Sequence, residues 1–271
     1  MPALTQDQIS QFRRDGFLFP IRVMPTEEAA GMRQRLEAVE AERGSLTGKF
    51  RSLKTHLLIT WLDALVRRPE ILDPIESLIG PDILCWSTAI LIKEPGDGTH
   101  VSWHQDLQYW GLEPGDVVSA WLAVSPATVQ SGCMQMLAGS HEWDDLEHQD
   151  TEDDKNLLSR GQTITAGIDE SLARHLVLEP GEISLHHGNT AHASDPNTSD
   201  DRRIGIAIRY MAARVRPMNG ADSALLVRGQ DRHGHFMSET SPVADFDAAA
   251  QAEHDRIMEL RHKVMLERSA S

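Results

Sequence analysis

His104 and Asp106 stand two residues apart in Ser102-Trp103-His104-Gln105-Asp106. On an extended backbone alternate side chains share a face, so an imidazole and a carboxylate aim at one spot. A second imidazole from further along the chain would complete a two-His, one-carboxylate face, the donor set that suits a non-haem Fe(II) centre with open positions. An H-x-D triplet also arises by chance, so the rest of the chain must supply that second ring. Three candidates lie in PGEISLHHGNTAHASDPNTSDDRR at 180–203. His186 and His187 close a strand expected over 183–186, and either can be a hydrogen-bonded core histidine. His192 lies beyond Gly188, among Ala191, Ala193 and Ser194, which leave room around a ring.

The following run, RIGIAIRY, carries a second signal. Ile204, Ile206, Ile208 and Tyr210 share one strand face, and Arg203, Gly205, Ala207 and Arg209 share the other. The first face packs. The second is small in the middle and cationic at both ends, which suits the lining of a carboxylate pocket better than a solvated surface. Arg203 can form a bidentate pair with a carboxylate, which a lysine cannot match; its plain alternative is a surface arginine beside Asp200 and Asp201. In VVSAWLAV, Trp121 is likewise the large residue among small ones, a pocket wall or a core filler.

These stretches need elements to hold them. Thr5-Gln6-Asp7-Gln8 reads as a capping box for a helix running to about Asp15, and a second helix spans Thr26 to Gly44. Residues 56–79 read as two more helices, broken before Pro69. From Ile83 the pattern changes to short apolar or alternating runs at 83–93, 99–104, 117–125, 133–137, 176–186 and 203–212, separated by Gly, Pro and Asp. That is the punctuation of an antiparallel β sandwich or barrel. Residues 141–156 hold eight acidic residues and one Lys, a solvated loop whose sharper reading is a substrate lid. The tail 243–268 is helical in composition. The organisation expected is one domain over 1–271: helices to residue 80, a β core over about 83–216, and a closing loop and helix over 217–271.

Composition narrows the function. The net charge of −15 repels nucleic-acid phosphates and anionic lipid, so neither nucleic acid nor a membrane is an expected partner; a small-molecule substrate is. No run of 18 apolar residues spans a bilayer, and the polar N-terminus lacks the pattern of a secretory signal. Cys85 and Cys133 read as reduced packing residues of a cytoplasmic protein. His233 and His235 in DRHGHF could form a separate metal pair or line a loop.

Taken in order, several segments resemble the phytanoyl-CoA dioxygenase family of Fe(II)- and 2-oxoglutarate-dependent oxygenases. They are W-H-Q-D at 103–106, S-A-W at 119–121, S-G-C-M-Q-M-L-A-G-S-H at 131–141, P-G-E at 180–182 and H-x-S-x-x-N at 192–197, with an Arg eleven residues after the distal His. The resemblance runs from about Phe12 to Arg216. It implies a double-stranded β-helix, a jelly-roll relative, with Fe(II), 2-oxoglutarate and O2 as metal, cosubstrate and oxidant. His104, Asp106 and His192 would be the iron ligands, and Arg203 would grip the distal carboxylate of 2-oxoglutarate with Ser194 as hydroxyl partner. Trp121 would wall the cosubstrate, and Thr88, give or take one position, would touch it; Lys54 would approach the site. Gln105 should point away from the metal.

The reaction implied is hydroxylation of a C–H bond with release of succinate and CO2. Halogenating relatives replace the carboxylate ligand by a small residue, and Asp106 keeps it. No basic cluster fits a coenzyme A phosphate and the 141–156 loop would oppose one, so a small polar metabolite is expected, with Gln108, Tyr109, Trp110 and Arg209 nearest to it. The rival readings are an acyl-CoA hydroxylase, a cupin-like metal protein without 2-oxoglutarate chemistry, and a non-catalytic β protein.

Overall fold

The computed structural model describes residues 3–46, 53–143, 146–158 and 161–269. Residues 144 and 145 of the acidic stretch therefore lie outside the described residues.

Thr5 caps the first helix, Gln6–Asp15, with the reciprocal Thr5–Gln8 bonds of a capping box, and Gly16 ends it in the left-handed region. Helices follow at Thr26–Arg43, Thr60–Val66 and Pro69–Ile79, the last with Pro69 at the first turn, where a missing N–H does no harm, and a second proline, Pro74, inside it. The long closing helix is Ala248–Ser269. No helix among the described residues is long and apolar enough to cross a membrane.

Two antiparallel sheets form the core. The larger runs in the order Phe17–Arg22, Glu182–His187, Val117–Ala123, Arg203–Ala212, Ile83–Lys93, Ser223–Arg228 and Met237–Ser238, with only the last pair parallel. The smaller runs Val101–His104, His192–Ser194, Met134–Met136, Arg174–His175. The expected strand at 176–186 is interrupted: Gly181, at φ +88, turns the chain, its N–H bonded to Ala123, and the strand begins at Glu182. Phe17–Arg22 joins the sheet as an outer strand, where Pro20 removes no ladder bond that matters.

The Arg203–Ala212 strand sits in the middle and sorts its two faces as its sequence predicts. Ile204, Ile206, Ile208 and Tyr210 are buried in the large apolar core shared with the helices, and the Tyr210 hydroxyl donates to the Val66 carbonyl at 3.0 Å. The opposite face looks into the space between the sheets. Gly205 is required there: a Cβ would lie 1.9 Å from the Trp121 ring. Both cysteines are free and buried.

Candidate metal centre and cosubstrate pocket

The smaller sheet builds the donor set. His192 is the register partner of His104 across the antiparallel ladder, and the two rings lie 4.1 Å apart. Asp106 follows just after the strand end, its Oδ1 3.4 Å from His104 Nε2. One ligand atom from each of His104, Asp106 and His192 lies within 4.8 Å of the other two, and this is the one such group among the described residues.

Three features make these residues a cation site. Each ring's Nδ1 faces a backbone carbonyl two residues earlier, His104 to Ser102 and His192 to Thr190, both at 2.9 Å. A carbonyl only accepts, so the proton sits on Nδ1 and the Nε2 lone pair is free for a metal. Burial, reinforced by the His104 charge, holds His192 neutral. Burial pushes the Asp106 carboxyl up, but the contact with His104 and the cationic surroundings, the Arg209 guanidinium among them, outweigh it and keep it well below the usual carboxylate range. Two imidazoles whose Nε2 atoms are turned to one point beside a carboxylate fit a divalent metal.

Gln105 points away, as alternation requires. Its side chain donates to Asn189 O at 3.0 Å, and its backbone N–H donates to His148 Nε2 at 3.0 Å. The acidic stretch is thereby tied to the residue between two donors. It is not wholly loop: Ser140–Glu142 is a 3-10 turn and His148–Gln149 pairs with Thr163–Ile164.

The other two histidine candidates fall outside the group. His186 comes near, with Nε2 4.0 Å from Asp106 Oδ2 and its ring 5.0 Å from that of His192. His187 packs on His141 at 5.6 Å and accepts from the Asn189 N–H. His233 and His235 stack on one another at 5.4 Å on the surface and gather no third donor among the described residues.

The second pocket lies along the larger sheet. Arg203 is fully buried, donates from Nη1 to Gly132 O at 2.6 Å and lies 5.2 Å from the Trp121 ring. No carboxylate pairs with it among the described residues; burial pushes its guanidinium down to about 10, with only Cys133 opposing. Its Nε, Trp121 Nε1 and Ser184 Oγ are buried without hydrogen-bond partners. Lys93, the ladder partner of Arg203, is also buried, and its ammonium reaches Ser194 Oγ at 2.7 Å and the carbonyls of Ser194 and Asp195. Buried unpaired donors of this kind are costly unless a ligand satisfies them. Two cations, an indole N–H and hydroxyls therefore fit the distal carboxylate of a keto acid.

Sequence reasoning missed Lys93, although a lysine ending the apolar run ILCWSTAILIK is itself a signal. Two other expectations are corrected. Thr88 pairs with Ile208 on the helix-facing side of the sheet, and its hydroxyl lies 3.0 Å from His56 Nδ1; Ser87 and Ala89, its neighbours, face inward with Arg209 and Ala207. Lys54 is buried in an ion pair with Glu239, beside Ser223 and His56, and not at the metal centre. Its ammonium is held by a carboxylate of the chain's own.

A jelly-roll core with a His-Asp-His donor set between its sheets is the architecture of the Fe(II)/2-oxoglutarate-dependent oxygenases. The comparisons give the family. The profile described as "Phytanoyl-CoA dioxygenase (PhyH)" matches residues 12–205, and the chain belongs to this family of dioxygenases. A probable alpha-ketoglutarate-dependent hypophosphite dioxygenase of Stutzerimonas stutzeri is 29% identical over 199 residues, 70% of this chain and 69% of that protein. The peroxisomal phytanoyl-CoA dioxygenase of Homo sapiens is 32% identical over 152 residues, but the match spans only 44% of its length and 54% of this chain. Among solved structures, the non-heme monooxygenase ThoJ superposes with a TM-score of 0.84 at 38% identity, covering 96% of this chain and 98% of its own. CytC3 with Fe(II) and alpha-ketoglutarate gives 0.68 at 26% identity, covering 90% and 97%.

Proposed function

We propose that His104, Asp106 and His192 hold Fe(II) and that Arg203, Ser194, Lys93 and Trp121 receive 2-oxoglutarate, so that the chain hydroxylates a C–H bond of a small polar metabolite. The observation that carries the reading is the pairing of an Nδ1-locked His-Asp-His set with a fully buried arginine that has no carboxylate partner among the described residues. When bound, iron and the keto acid supply O2 activation coupled to oxidative decarboxylation to succinate and CO2.

The protein's residues do the rest. His104 and His192 present Nε2 along fixed directions, because their Nδ1 atoms are held by the carbonyls of Ser102 and Thr190. Asp106 offers a carboxylate that is already ionised, so no proton has to leave before the metal is held. Arg203 offers its free Nε–H to one end of the keto acid, and Trp121 lies against that guanidinium. Buried apolar walls around Trp121, Ala123, Met134 and Met136 keep bulk water from this end.

Hydroxylation is favoured over halide transfer because Asp106 occupies the position that a halide would need. The small-metabolite reading is supported by the net charge of −15 and by relatives named for hypophosphite and for monooxygenation. We further read residues 1–271 as one domain: the Phe246 N–H bonds Leu58 O and His254 Nε2 lies 2.9 Å from Leu53 O, so the closing segment is fastened to the opening one.

Anaerobic addition of Fe(II) and 2-oxoglutarate should give a visible metal-to-ligand charge-transfer band. Asp106→Ala should abolish substrate-coupled succinate formation. Full coupled activity in that variant would sink the ligand assignment, and an absent band in the wild type would favour a metal protein without 2-oxoglutarate chemistry.

A further inference from the structure

The inner face of the central strand carries a cation at each end. Arg203 and Arg209 are six residues apart and so share a face, about 20 Å apart along the strand. Between them stand only Gly205 and Ala207. The Arg203 end is the cosubstrate pocket proposed above. The Arg209 end, expected from the sequence to lie near the substrate, is built with as much care, and what it would recognise can be read from its chemistry.

Across the sheet, Arg209 is in register with Ser119, and Ser119 with His186, so the three make one row. Each has a buried polar atom without a partner: Arg209 Nε, Ser119 Oγ and His186 Nδ1. His186 places this row against the metal centre, its Nε2 being 4.0 Å from Asp106 Oδ2. A β-bulge between Arg209 and Tyr210 lets Trp86 turn toward Trp110, their rings 5.0 Å apart. Arg209 lies 5.1 Å from the Trp110 ring and Arg261, from the closing helix, 4.5 Å from the Trp86 ring.

Charge balance then selects the ligand. The two guanidinium groups repel each other. The carboxylate that Arg209 feels is Asp106, whose charge a bound metal would share. Arg261 has Asp222 only at 3.9 Å, and the two Asp222 oxygens already accept from the Trp86 indole and the Ser223 N–H; Arg261 Nη1 has no hydrogen bond. In a chain of net charge −15, two arginines converge here, and among the described residues no anion stands between them.

We propose that this row is the primary-substrate subsite and that it recognises a small oxyanion group, carboxylate or phosphonate, gripped by Arg209 with Arg261 behind it. The apolar part of the substrate lies against Trp110 and Trp86, and its C–H bond faces the metal from the His186 side. This inference rests on the metal and cosubstrate reading above and adds the substrate class.

The test uses the full chain loaded with Mn(II) and saturating 2-oxoglutarate. Methylphosphonate and acetate are titrated separately, and nuclear relaxation enhancement by the metal reads their binding. At least one should show saturable enhancement, and the tighter of the two names the oxyanion class. Arg209→Gln should weaken that binding at least tenfold and Arg209→Lys less, while 2-oxoglutarate affinity stays within threefold of wild type. The Fe(II)–2-oxoglutarate band in both variants reports that they are folded. No saturable enhancement, an unchanged affinity in Arg209→Gln, or a parallel loss of 2-oxoglutarate binding in both variants would overturn the proposal. If wild-type protein gives no band at all, the cosubstrate reading falls first and this one with it; a normal band with no anion effect removes this one alone.

Discussion

The Lys93 ammonium lies 2.7 Å from the Ser194 hydroxyl oxygen and directly across the ladder from Arg203. An ammonium can only donate, so the Ser194 oxygen is engaged as an acceptor and its own proton is left to be given elsewhere. Lys93 itself is saturated by Ser194 and Asp195. It therefore acts on a ligand through Ser194, by deciding which way that hydroxyl donates, and through its charge beside the guanidinium. The three oxygens around Lys93 Nζ, Ser194 O, Ser194 Oγ and Asp195 O, match the three donors of an ammonium; burial and the Arg203 charge oppose that form, and an incoming carboxylate would favour it.

Lys93→Met should accordingly raise the 2-oxoglutarate dissociation constant by about tenfold, the order of one charge-assisted hydrogen bond. The turnover number at saturating 2-oxoglutarate should change little. Titration of the charge-transfer band gives the affinity, and succinate formation gives the turnover; an unaltered affinity would remove Lys93 from the cosubstrate pocket.

Gly205→Ala tests the close approach of strand and indole. The new methyl would overlap the Trp121 ring, and overpacking of this kind costs about 1–3 kcal/mol. The urea midpoint should fall, and KM for 2-oxoglutarate should rise more than kcat drops, because Trp121 and Arg203 are displaced together. A variant of wild-type stability and KM would show that the ring moves aside freely.

The buried Lys54–Glu239 pair predicts an asymmetry between single and double substitutions. Burial pushes the Glu239 carboxyl up, and Lys54 and His56 overcome this to hold it at about 2. Lys54→Met leaves that carboxylate buried without its cation and should cost about 3–5 kcal/mol, whereas Lys54→Met with Glu239→Leu should recover most of the loss. Equilibrium unfolding of the two variants measures it. Equal losses in both would mean that the pair itself, and not the orphaned charge, sets the cost.

His187 predicts an acid-side loss of stability. Burial, and then the His141 charge, push it down to about 4, against about 6.5 in an unfolded chain. Above pH 6.5 the ring is neutral in both states and contributes nothing. Between 6.5 and 4 the unfolded chain takes up a proton that the fold refuses, so stability falls as the pH drops, by up to about 3 kcal/mol, and levels off below 4. Urea midpoints at pH 7.5, 6 and 5 should decline less steeply in His187→Gln than in wild type; parallel slopes would assign the decline to other groups.

Much of the site was legible because its chemistry is local. His104 and Asp106 read as one face from their spacing, and the strand 203–212 displayed an apolar and a cationic face without help. Thr88 was misplaced for an equally local reason. A strand's alternation tells which residues share a face but not which face looks inward, and only the pairing with Ile208 decides it. Lys54 was misread because the partner that claims it, Glu239, is 185 residues away. The strands Phe17–Arg22 and Ser223–Arg228 were missed because one contains a proline and the other is short and half exposed; their place in the sheet comes from neighbours, not from pattern.

The register pairing of His104 with His192 has a kinetic consequence. The two rings meet across a ladder whose strands are 88 residues apart in the chain (192 − 104), so the centre cannot exist until that long-range closure has formed. A nascent or partly refolded chain holds at most the His104–Asp106 half. Tight metal capture should thus wait on that pairing, and its rate should be a clock for assembly of the smaller sheet.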